Sequence, residues 1–409
     1  MPDLILSLMQ LILWFVVIYI LAEVAWHVWM HYVNVKFLAG LKWIILEIKL
    51  PKETRKSPLA MEIILNSALN QTGGYGTWYD KYWKGSLPHT FSLEIVSIGG
   101  KVHFLIRTQA RFKNVIEADI YAQFTDAEIN EVPDYTNFVH YSPDGKWDLW
   151  GCEYKFTKPD PYPIATYVDF GLDKDPKEEY KIDPLTSIIE FFGSLKEGEQ
   201  AWTQMIIRST RSDFKKAAAE ARKKIIADYI AELAKRGVEK PEVSDQALPK
   251  SVKDIIFAID RNASKLNYDV GIRSIYIAEK DKYNGANIGG LINLFKQFNT
   301  EHLNGIRHTR TTSFDFPWQD WNNTRVNGFK KNIFYFYKLR SYYYPPYKPG
   351  MIGSSPLSNW ITENKRIPPM VMSSEELATI YHFPGSTAST PTFDRIEAKK
   401  SEPPANLPI

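Results

Sequence analysis

The chain has 409 residues, 44% of them hydrophobic and 24% charged, and its 50 basic and 47 acidic side chains leave a formal net charge of +3. That near-balance decides little about partners, and any basic surface has to be local. The single cysteine, Cys152, excludes an intrachain disulfide framework and fits a reducing compartment.

No charge interrupts the run from Leu4 to Ala22, which Asp3 and Glu23 bound. A helix of that length, at about 1.5 Å per residue, matches a hydrocarbon core of about 30 Å. Trp26, Trp29 and Tyr32 follow as an interfacial aromatic belt. His27 and His31 stand at a four-residue spacing that can bind a metal, yet no third ligand is near, and interfacial packing accounts for them; no metal and no cofactor is expected. One acid precedes the span, whereas Lys36, Lys42, Lys49, Lys52, Arg55 and Lys56 follow it. The positive-inside rule therefore predicts a single-pass inner-membrane protein, amino terminus outside and the later domains cytoplasmic. A cleaved signal peptide would need a basic start and a small-x-small site, and neither is present. No second run of comparable length exists, which excludes a transporter.

Beyond an anchor over residues 1–35, two or three domains of ordinary size fit. The run WIILEIKL from Trp43 alternates as a half-buried strand. Ser57 and Pro58 start a helix carrying Met61, Ile64, Leu65 and Ala68. Gly73 to Pro88 reads as a loop. FSLEIVSI and KVHFLIRT, joined by Gly99-Gly100, form a hairpin, because glycine accepts the positive φ of the turn. A helix with Phe112, Val115, Ile116 and Ile120 and a strand from Ala127 to Val132 complete residues 41–135. This order, strand-helix-strand-strand-helix-strand, predicts a ferredoxin-like module.

The order recurs over residues 145–312. Its parts are the strand Leu149 to Phe156, a helix after Asp183-Pro184, the strand Ala201 to Ser209, the strand Tyr268 to Ala278, a helix near Asn287 and a weak strand from Ile306. An insertion, 212–266, interrupts it with a helix starting at Ser212, seamed by Phe214, Ala218, Ala221, Ile225, Tyr229 and Leu233, and a second from Ser251. The predicted class is thus α+β: a transmembrane helix and two ferredoxin-like modules, the second with a helical hairpin. Residues 313–371 hold an aromatic, basic helix from about Asn323 to Tyr343 and a loop. Residues 372–409 hold a short capped helix and a Pro-rich tail.

No phosphate-binding loop is present: the nearest approach, Gly193 to Gly198, is followed by Glu199 rather than Lys. Ser212 and Lys215 make an S-x-x-K without its companion motifs, and helix capping explains Ser212. The acids between Asp169 and Glu179 fit a solvated linker better than a calcium loop. No nucleophile and base can be paired, so the chain reads as non-enzymatic. The strongest binding candidate is Arg307, Arg310, Arg325, Lys330, Lys331, Lys338 and Arg340, interleaved with aromatics. Bases among stacking rings suit single-stranded nucleic acid or an anionic membrane surface. The alternative is an amphipathic helix that packs its rings on a sheet and leaves its bases in water.

Four strings, FSLEIVSIGGKVHFLIRT, EADIYAQFTDAEI, EELATIYHFPG and RIEAKKSEPPANLPI, together resemble a family of membrane-anchored bacterial proteins built on a domain of unknown function. They are also similar to the membrane-side portion of type IV secretion and conjugation ATPases of the HerA and coupling-protein kind. In those longer chains the counterparts of EELATIYHFP and PPANLP precede the nucleotide-binding domain. The resemblance implies a scaffold for a separately encoded translocase ATPase, since this sequence stops at Ile409, where the motor would begin. It implies homo-oligomeric assembly as a ring, and partner contacts through Glu375, Glu376, Tyr381, His382, Pro403, Pro404 and Leu407. A membrane-tethered single-stranded nucleic-acid-binding protein is the alternative.

Overall fold

The computed structural model describes residues 2–50, 56–73, 76–173, 183–210, 212–235, 248–314, 316–343 and 367–384. They divide into two compact units, one drawn from Met1–Lys42, Thr72–His89 and Ser341–Pro368, the other from Trp43–Gln71, Thr90–Arg340 and Pro369–Ile409.

In the first unit, helix α1 (Pro2–Ala39) is one continuous rod with little amphipathic bias. From Leu8 to Leu21 its large apolar side chains are uncovered, and by length and composition the helix can cross a membrane. An apolar surface of that extent is unstable in water and stable in lipid. The stretch expected as loop contains a short helix, α2 (Trp78–Tyr82), started by a capping box between Thr77 and Asp80. The signal, Thr-x-x-Asp, is present in the sequence.

The second unit is built on one antiparallel sheet of nine strands. Its first half comprises β1 (Trp43–Lys49), β2 (Phe91–Ile98), β3 (Lys101–Gln109) and β4 (Glu128–Val132), with helices α3 (Leu59–Ile64) and α4 (Lys113–Gln123) between them. The second half comprises β5 (Trp147–Phe156), α5 (Leu185–Gly193), β6 (Glu199–Ser209), β7 (Asn267–Glu279), α6 (Ala286–Ile292) and β8 (Ile306–Thr309). Strand order is β4-β1-β3-β2-β6-β7-β5-β8. The halves meet where β2 pairs with β6 from Phe91↔Ile207 to Ile98↔Gln200. Every residue of β2 up to Ser97 is buried, the pattern of a central strand covered on both faces. The same holds for WIILEIKL, expected as half-buried: its middle five residues are all buried.

Two helices, α7 (Phe214–Lys235) and α8 (Lys250–Ser264), form the expected insertion. Helix α7 starts two residues later than predicted, because Asp213 rather than Ser212 accepts from a first-turn amide, Lys216 N–H, at 3.2 Å. Ser212 is instead engaged with the Thr210 hydroxyl, 2.9 Å away. Of the predicted seam only Phe214 and Ala218 are buried.

One sheet face carries the larger core, in which Met61, Ile64, Ile116, Ile188 and Leu291 pack on the strands. The other carries a smaller core, where Ile333, Phe334 and Tyr337 of α9 (Thr324–Leu339) meet Trp202, Tyr135 and Ile275. A further strand, β9 (Met370–Ser373), lies where no strand is expected, across the boundary between the loop and the capped helix. Strand β5 stays on the β7 edge only as far as Glu153↔Arg273, and then pairs β8 from Glu153↔Thr309. The vacated edge is taken by β9, with Asn267↔Ser373 through Val270↔Met370 in register. Helix α10 (Ser374–Ile380) follows directly, capped by Ser373 and Glu376.

Candidate functional site

The basic, aromatic segment separates into two environments. At its carboxyl end Arg340 is buried, in the left-handed conformation (φ 49°) that stops α9. Its Nε and Nη2 donate to the two Glu94 oxygens at 3.0 and 3.2 Å, and Nη1 and Nη2 reach both oxygens of Asp134. Glu94 also accepts from Ser92 (2.7 Å), Tyr135 (2.7 Å) and Gln204 (3.2 Å), and the Tyr135 and Tyr337 hydroxyls lie 2.9 Å apart. Burial pushes the Glu94 carboxyl up, but the Arg340 guanidinium and the hydrogen bonds outweigh it and hold the carboxyl below its usual range. Asp134 is lowered by the same balance. Arg340 is therefore not a surface contact for phosphate, as expected from sequence, but the charged clasp between α9 and the sheet.

Lys330 also faces inward, 2.6 Å from Asp148, and Lys338 lies 5.7 Å from the Phe334 ring centroid. Arg310 pairs with Glu153 at 3.7 Å while staying open to solvent. Arg307 and Lys331 are exposed. Around the start of α9 the chain leaves an aromatic shelf on the surface. Phe316 and Trp318 stack at 4.6 Å, Phe314 sits 5.7 Å from Phe329, and Trp321 is 82% exposed. Arg325 lies 4.6 Å above the Phe314 ring and donates to the Gln319 carbonyl at 2.9 Å. Asp320 accepts from Val326 N–H at 2.7 Å and fixes the turn that presents these rings. Of the seven predicted bases, this shelf carries Arg325 and has Lys331 on the same helix.

The predicted partner contacts near the carboxyl end are internal. Glu375, Glu376, Tyr381 and His382 are each no more than 3% exposed. Glu375 accepts from Thr166 Oγ1 at 2.6 Å and pairs with Arg261 and Lys265. Lys265 also bridges to Glu62 at 2.9 Å, and Glu62 accepts from Tyr167 and Ser374. Glu376 accepts from the Ile164 and Ser373 amides, though burial pushes its carboxyl up to about 7. Tyr381 donates to the Leu105 carbonyl. These side chains fasten the strap Met370–Phe383 into the body. Pro403, Pro404 and Leu407 lie outside the described residues.

His382 offers one nitrogen to the Ala378 carbonyl at 2.9 Å and the other to Asp183 at 3.0 Å. Both partners are acceptors, so the doubly protonated ring satisfies both. Burial lowers the ring's pKa, and the Asp183 charge and the hydrogen bonds more than reverse that, raising it; Asp183 is lowered in turn. The His382 contribution is thus complete below its unfolded value of about 6.5 and is lost as pH rises through the elevated folded value. Asp183's is complete above its unfolded value of about 3.9 and is lost as pH falls through the depressed one. Wild-type stability in urea should therefore decline above neutral pH, and His382→Gln should flatten that limb. An unchanged alkaline limb in the variant removes the assignment.

Among the described residues no three His, Cys, Asp or Glu side chains are grouped to hold a metal ion; His27 lies 3.6 Å from Glu23. Cys152 is buried, and burial pushes its thiol up to about 12, which keeps it inert. Glu94, Asp134 and the α2 aromatics carry no distinct signal in the sequence, because Glu94 in FSLEIVSI has the alternation of a half-buried strand's polar face. No family model matches this chain, and no curated protein matches it.

Proposed function

We propose that the chain is a single-pass, membrane-anchored, non-enzymatic adaptor, amino terminus outside, whose cytoplasmic body holds a separately encoded translocase ATPase, with further copies completing the assembly. The observation that carries the reading is α1: it exposes large apolar side chains from Leu8 to Leu21 and is joined to a separate sheet-based unit. The ATPase partner rests on the resemblance of four strings in the sequence. Because Glu375 to His382 are internal, the docking face is sought at the aromatic shelf and at residues 385–409. The finer fold reading is two ferredoxin-like halves fused edge to edge through β2 and β6. It draws support from strand order, since β4-β1-β3-β2 and β8-β5-β7-β6 are each the order of that motif.

Full-length protein extracted in detergent should retain an ATPase partner, and both truncation after Pro384 and Trp318→Ala/Trp321→Ala should reduce its recovery. Unchanged recovery in both would count against the adaptor. A second reading, single-stranded nucleic-acid binding, is favoured by the stacked Phe316–Trp318 pair beside Arg325. Under it the same shelf variant loses a single-stranded DNA probe instead, and the wild type binds that probe with steep salt dependence.

A further inference from the structure

The stretch around α2 has no part in either reading. It is nonetheless held tightly to α1. Trp29 Nε1 donates to the Tyr82 carbonyl at 2.9 Å, and the Trp26–Tyr82 and Trp29–Trp83 ring centroids are 5.4 and 5.2 Å apart. Gly85 closes the contact: it has φ 68°, and a Cβ there would lie 2.4 Å from the Val33 carbonyl. Only glycine permits both that backbone and that approach.

The level of this contact follows from helix geometry. Charge returns to α1 at Glu23, just past the uncharged run. Trp26 and Trp29 therefore stand about 6 to 10 Å beyond the end of that run, at about 1.5 Å per residue. Helical side chains also lean toward the amino terminus, hence toward the lipid. The polar region of a bilayer leaflet is about 5 to 8 Å deep, so rings packed on Trp26 and Trp29 sit at headgroup depth. Although packed there, α2 leaves Trp78 and Trp83 72% and 59% exposed. Lys81 Nζ lies 4.7 Å from the Tyr82 ring and Lys84 Nζ 5.4 Å from the Tyr79 ring. Amphipathic rings with lysines over them are the composition that partitions into the membrane interface.

We propose that α2 is a second membrane contact, an interfacial collar whose Trp and Tyr rings enter the headgroup layer and whose Lys81 favours anionic phospholipid, Lys84 being paired with Asp80 at 2.8 Å. The occupant is the bilayer that α1 crosses, so the inference rests on the anchor reading, and the continuity of the two aromatic groups argues for it. A single crossing leaves a helix free to tilt and rotate; a collar fixed on one side of it restricts both and sets how the chain leaves the membrane.

The test uses full-length protein in vesicles of phosphatidylcholine with phosphatidylglycerol, labelled with bimane at Tyr79→Cys or, separately, at Ile12→Cys. Cys152 is buried and does not compete for label. The Tyr79 probe should be quenched several-fold more strongly by a spin label at the lipid headgroup than by one deep in the acyl chain, and the Ile12 probe should show the reverse. Lys81→Glu should weaken headgroup quenching in these vesicles more than in pure phosphatidylcholine. A Tyr79 probe untouched by either quencher, with Ile12 quenched, overturns the collar and leaves the anchor standing. Both probes untouched overturn the anchor as well. Equal effects of Lys81→Glu in the two lipids overturn the anionic preference.

Discussion

Arg340→Ala is expected to lower the stability of the sheet unit by about 3–5 kcal/mol, the range found when one partner of a buried ion pair is removed. The size follows from what remains. Glu94 is completely buried and would keep its hydrogen bonds from Ser92, Tyr135 and Gln204, but it would lose the cation hydrogen-bonded to it, with only the more distant charge of Arg107 left to offset its own. Asp134 is less exposed to this penalty because it reaches solvent and can be hydrated. Against a total margin of about 5–15 kcal/mol the loss is large, and it should appear as a fall in melting temperature of roughly 10 °C. Two companion variants identify the cause. Arg340→Gly relieves the left-handed backbone but not the charge, so it should remain nearly as unstable as alanine. Arg340→Met combined with Glu94→Gln removes both charges and should recover most of the loss, by the logic that an absent pair costs less than a broken one. If glycine restores stability, the backbone rather than the ion pair governs this site.

The same cluster shows what the sequence made legible. Alternation and glycine turns located the strands of both halves, and Asp183-Pro184 and the Gly99-Gly100 turn marked local boundaries that the structure bears out in its elements. Local pattern said nothing of partners far apart in the chain. Glu94 in FSLEIVSI reads as the polar face of a half-buried strand; it is internal because β6 pairs on one side and α9 covers that face. Arg340 reads as one more base in a basic segment, since the acids that neutralise it lie more than 200 positions away. Strand β9 has four residues, too few to display a period of two, and exists only because β5 departs from β7. The Thr77-x-x-Asp80 box was readable, but the high density of Gly around it favoured a loop.

That late strand carries the largest expected effect. A chain ending at Pro368 lacks β9 and α10 and should lose the cooperative melt of the sheet unit, whereas one ending at Pro384 should keep it. Met372, Leu377, Ile380 and Tyr381 are completely buried. At about 1.5–3 kcal/mol for each such side chain, their removal costs about 6–12 kcal/mol, which rivals the whole margin of an ordinary domain. The deletion also strips polar partners. Glu62 loses the Ser374 hydroxyl, Arg261 and Lys265 lose Glu375, and the Ile164 amide loses the Glu376 carboxylate, each left in partly dry surroundings. The edge of β7 from Asn267 to Val270 would present unpaired backbone, a template for aggregation. Urea unfolding followed by circular dichroism, with hydrogen exchange at residues 267–270, checks this. A Pro368 truncation that melts cooperatively at the full-length midpoint would show that the body folds without its strap. Loss of a partner on deleting Glu375 to Ile409 would by itself report unfolding, and for that reason the cut after Pro384 is the one that separates docking from folding.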